Sequence, residues 1–239
     1  MIRFFALALF SSLILTSCHF GHNDRIRGNG TIKTEKRSTG SFSKVDVGGN
    51  IEVYIKQDSV YSVRIETDEN LLEYIIVRTD GDQLVIEPKD HSNLSGTNDI
   101  KVYVSAPVFK KLEVSGASSI STEGLVSSEE IDIEISGASS ANLELKSPRV
   151  SAEINGASNV LLKGQTKDLK IEGGGASHAR CFDLLSENAN VDVSGASSAE
   201  VFASVSLKAD ASGASHIKYK GAATHTGTAS GAGSISKVE

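Results

Sequence analysis

Apolar and polar residues alternate through most of this 239-residue chain, and the alternation restarts after each of a series of evenly placed glycines. A Gly-Ala-Ser element recurs at Gly116, Gly137, Gly156, Gly175, Gly195 and Gly213, with Gly-Ala-Gly at Gly231, at intervals of 18–21 residues. Positions six, four and two before the glycine are mostly apolar: Ile131/Ile133/Ile135, Val150/Ala152/Ile154, Ala189/Val191/Val193 and Leu207/Ala209/Ala211. Positions four and six after it are apolar or small, as in Ala141/Leu143, Val160/Leu162 and Ala179/Cys181. A period of two is that of a strand with one buried face. Each repeat therefore predicts two short strands bent at Gly-Ala-Ser, with less regular segments closing the coil. Glycine supplies a positive φ there, and alanine leaves room for a tight corner. Strand units at near-constant spacing stack as a solenoid. The expectation is an all-β fold, a right-handed parallel β-helix over residues 111–239 with rungs about 4.8 Å apart. The last coil (His225, Gly227, Ala229) carries little bulk and reads as a tapering end.

Residues 42–110 alternate without the glycine period. Ile51-Val53-Ile55, Val63-Ile65, Leu84-Ile86 and Ile100-Val102-Val104 predict strands, and Asp80-Gly81-Asp82 predicts a hairpin turn. Residues 68–74 predict one short helix with Thr67 or Asp68 as N-cap. This β-rich section is expected to cap the rod. Its start, Val45-Asp46-Val47-Gly48-Gly49, already stands in the repeat register.

The first residues read as an address. Arg3 precedes an apolar run from Phe4 to Leu15, shorter than the roughly 20 residues that span a bilayer and suited to a signal peptide over residues 1–17. Leu15-Thr16-Ser17-Cys18 is similar to a bacterial lipobox, which makes Cys18 the lipid attachment site and the membrane a partner through that anchor. Residues 18–41 are polar and glycine-containing and read as a tether. Gly28-Asn29-Gly30 within them lacks the third glycine, preceding strand and following helix of a nucleotide-binding loop.

Composition narrows the function classes. The formal charge is -6, which excludes a basic nucleic-acid surface. Aromatics are 5 % with no Trp, so stacking platforms for sugars are scarce. Cys18 and Cys181 are the two cysteines, and an acylated Cys18 leaves Cys181 without an intramolecular partner.

With these residues in hand, the chain resembles the head GIN domain family of autotransporter adhesins. The likeness begins near Gly28-Asn29-Gly30. It runs through FSKVDVGGNIEVYI and DENLLEYI to the SGASS repeats. It implies a β-helix related in shape to pectin lyases and a role in adhesion, with no catalytic residue to carry over and no cofactor.

One outward column stands out three residues before each glycine: Asp46, Glu113, Glu134, Glu153, Glu172, Asp192 and Asp210. Carboxylates one rung apart repel by roughly 1 kcal/mol in water. Solvent, splayed rotamers and Lys111, Lys170 and Lys208 two residues earlier relieve this on one reading. A stripe for Ca2+ or a cationic partner relieves it on another. His178 and His216 share a column with the Ser198 coil between them, about 10 Å apart and too far to share one zinc. Cys181 lies in the inward column and reads as a core thiol. The repeated serines (Ser118, Ser139, Ser158, Ser177, Ser197, Ser215) read as stacked turn hydroxyls. Arg149 and Arg180 do not share a column, and no carboxylate pair is singled out for glycan hydrolysis.

The resulting expectation is a non-catalytic cell-envelope lipoprotein, lipid-anchored at the outer membrane and either periplasmic or surface-exposed. It would bind a glycan or a protein ligand. A polysaccharide-active β-helix enzyme and a periplasmic envelope assembly or stress component are the alternatives.

Overall fold

The computed structural model describes residues 25–239, so the expected signal peptide and Cys18 lie outside the described residues. The chain forms stacked parallel coils, a β-solenoid of about seven turns, with 64% strand and 4% helix.

The described chain starts with β1 (Ile26–Arg27) and β2 (Ile32–Arg37), inside the segment expected to be a tether. Pairing made elsewhere orders them. Next come β3 (Lys44–Val47), β4 (Ile51–Gln57), β5 (Ser62–Asp68), β6 (Ile75–Asp80), β7 (Gln83–Pro88), β8 (Leu94–Ser95) and β9 (Ile100–Ala106). The predicted hairpin is present: Asp80 pairs with Gln83, and Gly81 has φ 59. The predicted helix is a 3-10 helix over Glu69–Tyr74, and Asp68 makes no side-chain cap.

The section over residues 42–110 does more than cap a rod that starts at residue 111. Its strands are coils of the same stack, in an order the chain does not follow. β3 pairs in parallel with both β7 and β10 (Lys111–Val114). β4 pairs in parallel with both β9 and β11 (Ser119–Thr122). The coil at residues 44–57 thus lies between the coil made later, at residues 83–106, and the coil after that. Antiparallel strands close this end: β6 on β7, β5 on β9, and β2 on β5.

β12 (Val126–Ser127) and β13 (Glu130–Ile135) lead into the regular coils: β14 (Ser140–Ile154), β15 (Asn159–Gly173), β16 (His178–Val193) and β17 (Ser198–Ala211). In these coils a strand of 14–16 residues runs from one Gly-Ala-Ser corner to the next, where irregular closing segments were expected. The second corner is a bend inside the strand. Ser147 and Thr166 point inward there, and their hydroxyls donate to the carbonyls two residues on, at 2.8 and 3.1 Å. That bond stands in for an apolar contact and lets the ladder turn without breaking. The stack ends with β18 (His216–Lys220), β19 (Thr224–Ala229) and β20 (Ser234–Lys237).

The core is built by columns. Leu84, Val45, Leu112, Ile133, Ala152, Ile171, Val191 and Ala209 follow one another in register, and all are buried. Burying each large aliphatic side chain is worth about 1.5–3 kcal/mol. The column ends at Gly227, which is the taper expected from the sequence. At the glycine corners the ladder continues: the Ala138 N–H donates to the Gly116 carbonyl at 2.8 Å, and equivalent bonds follow in the coils above.

Candidate functional site

Strands before the glycine corner carry three outward columns side by side. The one nearest the corner is the expected acidic column. Asp46, Glu113, Glu134, Glu153, Glu172, Asp192 and Asp210 are in unbroken register, bounded by Val85 below and Thr228 above. Neighbouring groups relieve most of the repulsion. Lys111 Nζ lies 2.6 Å from Glu113 and 2.9 Å from Glu134, and both carboxylates raise its pKa. The Lys111 bond in turn holds Glu134 below its usual value. Gln83 donates to Asp46 and Glu113, at 3.0 and 3.2 Å. Lys170 pairs with Glu172 at 2.9 Å, and Asn155 donates to Glu153 at 2.9 Å. The Thr228 hydroxyl and N–H donate to Asp210 and hold it below the usual carboxylate range. At Asp46 the Gln83 bond does not offset the opposing effects. Burial, and then the nearby Glu113 charge, raise its pKa. Among the described residues, no three His, Cys, Asp or Glu side chains gather as ligands for one metal ion.

The other two columns floor a trough. Glu130, Arg149, Asp168, Asn188, Ser206 and Thr224 form one, in register over six strands. Asp132, Ser151, Lys170, Asn190, Lys208 and Thr226 form the other. Two cavities, about 930 and 630 Å³, adjoin at Arg149 and Asp168 and make a continuous channel along the rod. Six rungs give it a length of about 24 Å. Val108, Lys110 and Ser128 wall its N-terminal end. Its floor is a chain of polar contacts: Arg149 to Glu130 at 3.2 Å, Asn188 to Asp168 at 2.8 Å and Ser206 to Asn188 at 2.8 Å. Unlike the acidic column, this one does not stand out in the sequence. Its signal was present at a fixed offset, seven residues before each glycine, but residue type changes from rung to rung.

The remaining candidates fall where the repeat puts them. His178 and His216 flank Ser198 in one column, and His216 Nδ1 is 2.8 Å from Ser234 Oγ. Cys181 is fully buried, and burial pushes its thiol up to about 12. The repeat serines are buried; Ser139 and Ser158 donate to the glycine carbonyls of the coil below at 3.3 Å. Arg180 stands between Leu161 and Glu200, a different column from that of Arg149. Two tyrosines do meet on the outer surface. Tyr54 stacks on Tyr103 at 5.3 Å, and Arg64 covers Tyr103 at 3.9 Å, so that ring is occupied on both faces.

A fully buried carboxylate organises the N-terminal end. Asp68 accepts from the Gly30 N–H at 2.6 Å and from the Thr97 N–H and hydroxyl, each at 2.8 Å. Burial raises its pKa, but the Thr97 and Gly30 bonds outweigh that and leave it below the usual range. Gly28 packs so close that a Cβ would lie 2.3 Å from the carboxyl. The Gly28-Asn29-Gly30 loop is therefore a clasp around Asp68.

Residues 41–223 match the family described as putative auto-transporter adhesin, head GIN domain. The chain belongs to the head GIN domain family. This head GIN chain has no match among curated proteins. Its fold is similar to a putative adhesin from Bacteroides fragilis, with TM-score 0.85 and 19% identity over 89% of this chain and 100% of that one. A putative lipid binding protein from Parabacteroides distasonis gives TM-score 0.74 and 21% identity over 90% of this chain and 100% of the other. A putative adhesin from Parabacteroides merdae gives TM-score 0.70 and 21% identity over the same shares. At these identities the likeness is one of fold. Among the described residues of this head GIN chain, no helix is long and apolar enough to cross a membrane.

Proposed function

We propose that this head GIN chain is a non-catalytic binding module of the cell envelope. Lipid on Cys18 anchors it, and it engages a linear glycan along the Arg149–Asp168 trough. The observation that carries this reading is the trough floor, which presents one polar side chain on every rung although their types differ. Donors and acceptors recur once per rung along a straight channel, which suits a ligand that is itself periodic. The side chains of Arg149, Asp168, Asn188 and Ser206 are those that hydrogen-bond hydroxyls and amides. Phe4 to Leu15, followed by Leu15-Thr16-Ser17-Cys18, supports the anchor.

Glycan-array binding of the unlipidated chain tests the trough. Binding without turnover, weakened about tenfold by Arg149→Ala or Asp168→Ala, is the expected result; each such loss corresponds to about 1.4 kcal/mol. Shortened glycan products would replace the reading with a polysaccharide-active enzyme. No glycan binding, together with a co-purified envelope protein, would replace it with an assembly or stress component. Protease shaving of intact cells places the rod: release with the membrane intact supports external adhesion, and protection moves the site to the periplasm.

A further inference from the structure

The two ends of the stack are finished differently. At the N-terminal end, β5 and β6 lie antiparallel on β9 and β7, so both edges of that coil are covered. At the other end, β19 pairs with β17 and β20 with β18, each on one side only. Ser230, Ala232 and Ser234 give their N–H groups to the coil below. The alternation of a parallel ladder turns the groups between them the other way. Backbone N–H and C=O of His225 and Gly227 in β19, and of Ile235 in β20, therefore point off the end of the stack.

Edges of this kind are normally blunted by lysine, proline or a covering strand. Lys237 does this at the end of β20, but β19 has no such residue. From Gly221 to Ser236 the chain has no Lys, Arg, Asp, Glu or Pro. The inward residues shrink to His225, Gly227 and Ala229, with His225 stacked on Tyr219 at 5.4 Å. All six residues of β19 are exposed. Elsewhere the molecule is acidic, and like copies repel; here two copies meet without charge.

We infer that β19 pairs antiparallel with β19 of a second copy, joining two rods end to end. A two-fold axis across the strand supplies the antiparallel edge that β5 supplies to β9 at the opposite end. The interface is isologous and closes at two copies. It leaves the trough open, and two troughs then run in line from a shared centre.

Site-directed crosslinking in isolated envelopes tests this. Cysteines are placed singly at Thr224, Thr226 and Thr228, with Ser140→Cys on a middle coil as control; Cys181 is buried and does not compete. Mild oxidation is expected to give a band of twice the monomer mass from at least one β19 position and none from Ser140→Cys. In detergent, sedimentation is expected to show a dimer. Thr226→Glu should weaken that dimer about tenfold while the melting temperature holds, because Thr226 faces outward beside Lys208 in the same copy. A single monomer mass at about 100 micromolar, roughly a hundredfold above a micromolar dissociation constant, overturns the inference. So does a β19 crosslink only to a protein of another mass.

Discussion

Gly137 lies directly over Gly116, and the place its side chain would take is filled by the Gly116 carbonyl oxygen. A Cβ there would sit 2.5 Å from that oxygen, at φ +77. Gly137→Ala therefore meets both a left-handed backbone and a backbone clash. A loss of about 3 kcal/mol is expected in urea unfolding. Gly124, at φ +93 with nothing within 4 Å, separates the two effects. Gly124→Ala should cost only about 1 kcal/mol.

Asp68 makes low-pH stability depend on one buried group. Its pKa is depressed in the fold, so its stabilisation is fully present above the unfolded value near 3.9 and is lost as pH falls through the folded value. Asp68→Asn sets an amide where three donors converge and should cost about 2–3 kcal/mol at pH 7. Urea midpoints at pH 7 and pH 3 check this: the gap between the two proteins should narrow at pH 3.

Asp46 predicts the opposite sign. Its pKa is raised, so its ionised form opposes folding at neutral pH, and protonation relieves the strain. Asp46→Asn should raise the melting temperature by about 1 °C at pH 7, in line with a few tenths of a kcal/mol, and leave it unchanged at pH 3. A fall at pH 7 would show that the Gln83 bond outweighs the repulsion.

Lys111 stands between Glu113 and Glu134 and neutralises the N-terminal part of the acidic column. Lys111→Met should cost about 1 kcal/mol at low salt, reduced by screening as salt is added. With such partners in place, millimolar Ca2+ is expected to leave the melting temperature within about 1 °C at constant ionic strength. A rise of several degrees would establish the column as a cation stripe.

Cys181 should resist alkylation in the folded chain, since burial raises its thiol to about 12. Mass spectrometry after iodoacetamide treatment is expected to find it unlabelled until denaturant unfolds the coils.

The repeat was legible because two independent signals coincide in it, a residue that tolerates positive φ and a strict period of two. The acidic column followed from the same register. The second corner was not legible, because Ser147, Pro148 and Arg149 break the alternation and resemble a loop. The ladder nevertheless runs through it, from Leu145 on Gly164 to Arg149 on Asp168, with the inward hydroxyls of Ser147 and Thr166 bonded at the bend. The strands Ile26–Arg27 and Ile32–Arg37 are short and polar, and their order depends on Leu94 and on residues 63–68. The placement of Val45 between Leu84 and Leu112 has no period at all, since those partners lie at unequal distances along the chain.

That placement divides the molecule by how it can be assembled. From Gly137 onward each coil needs only the one already laid down, so growth proceeds rung by rung and tolerates interruption. The coil at residues 44–57 has no such freedom. One of its sides is covered by residues 83–106 and the other by residues 111–122, so it is complete only when both later segments are in place. The N-terminal end is expected to act as the nucleus, with the later coils added as elongation. Damage to the nucleus should abolish the whole rod, whereas damage to a late coil should shorten it.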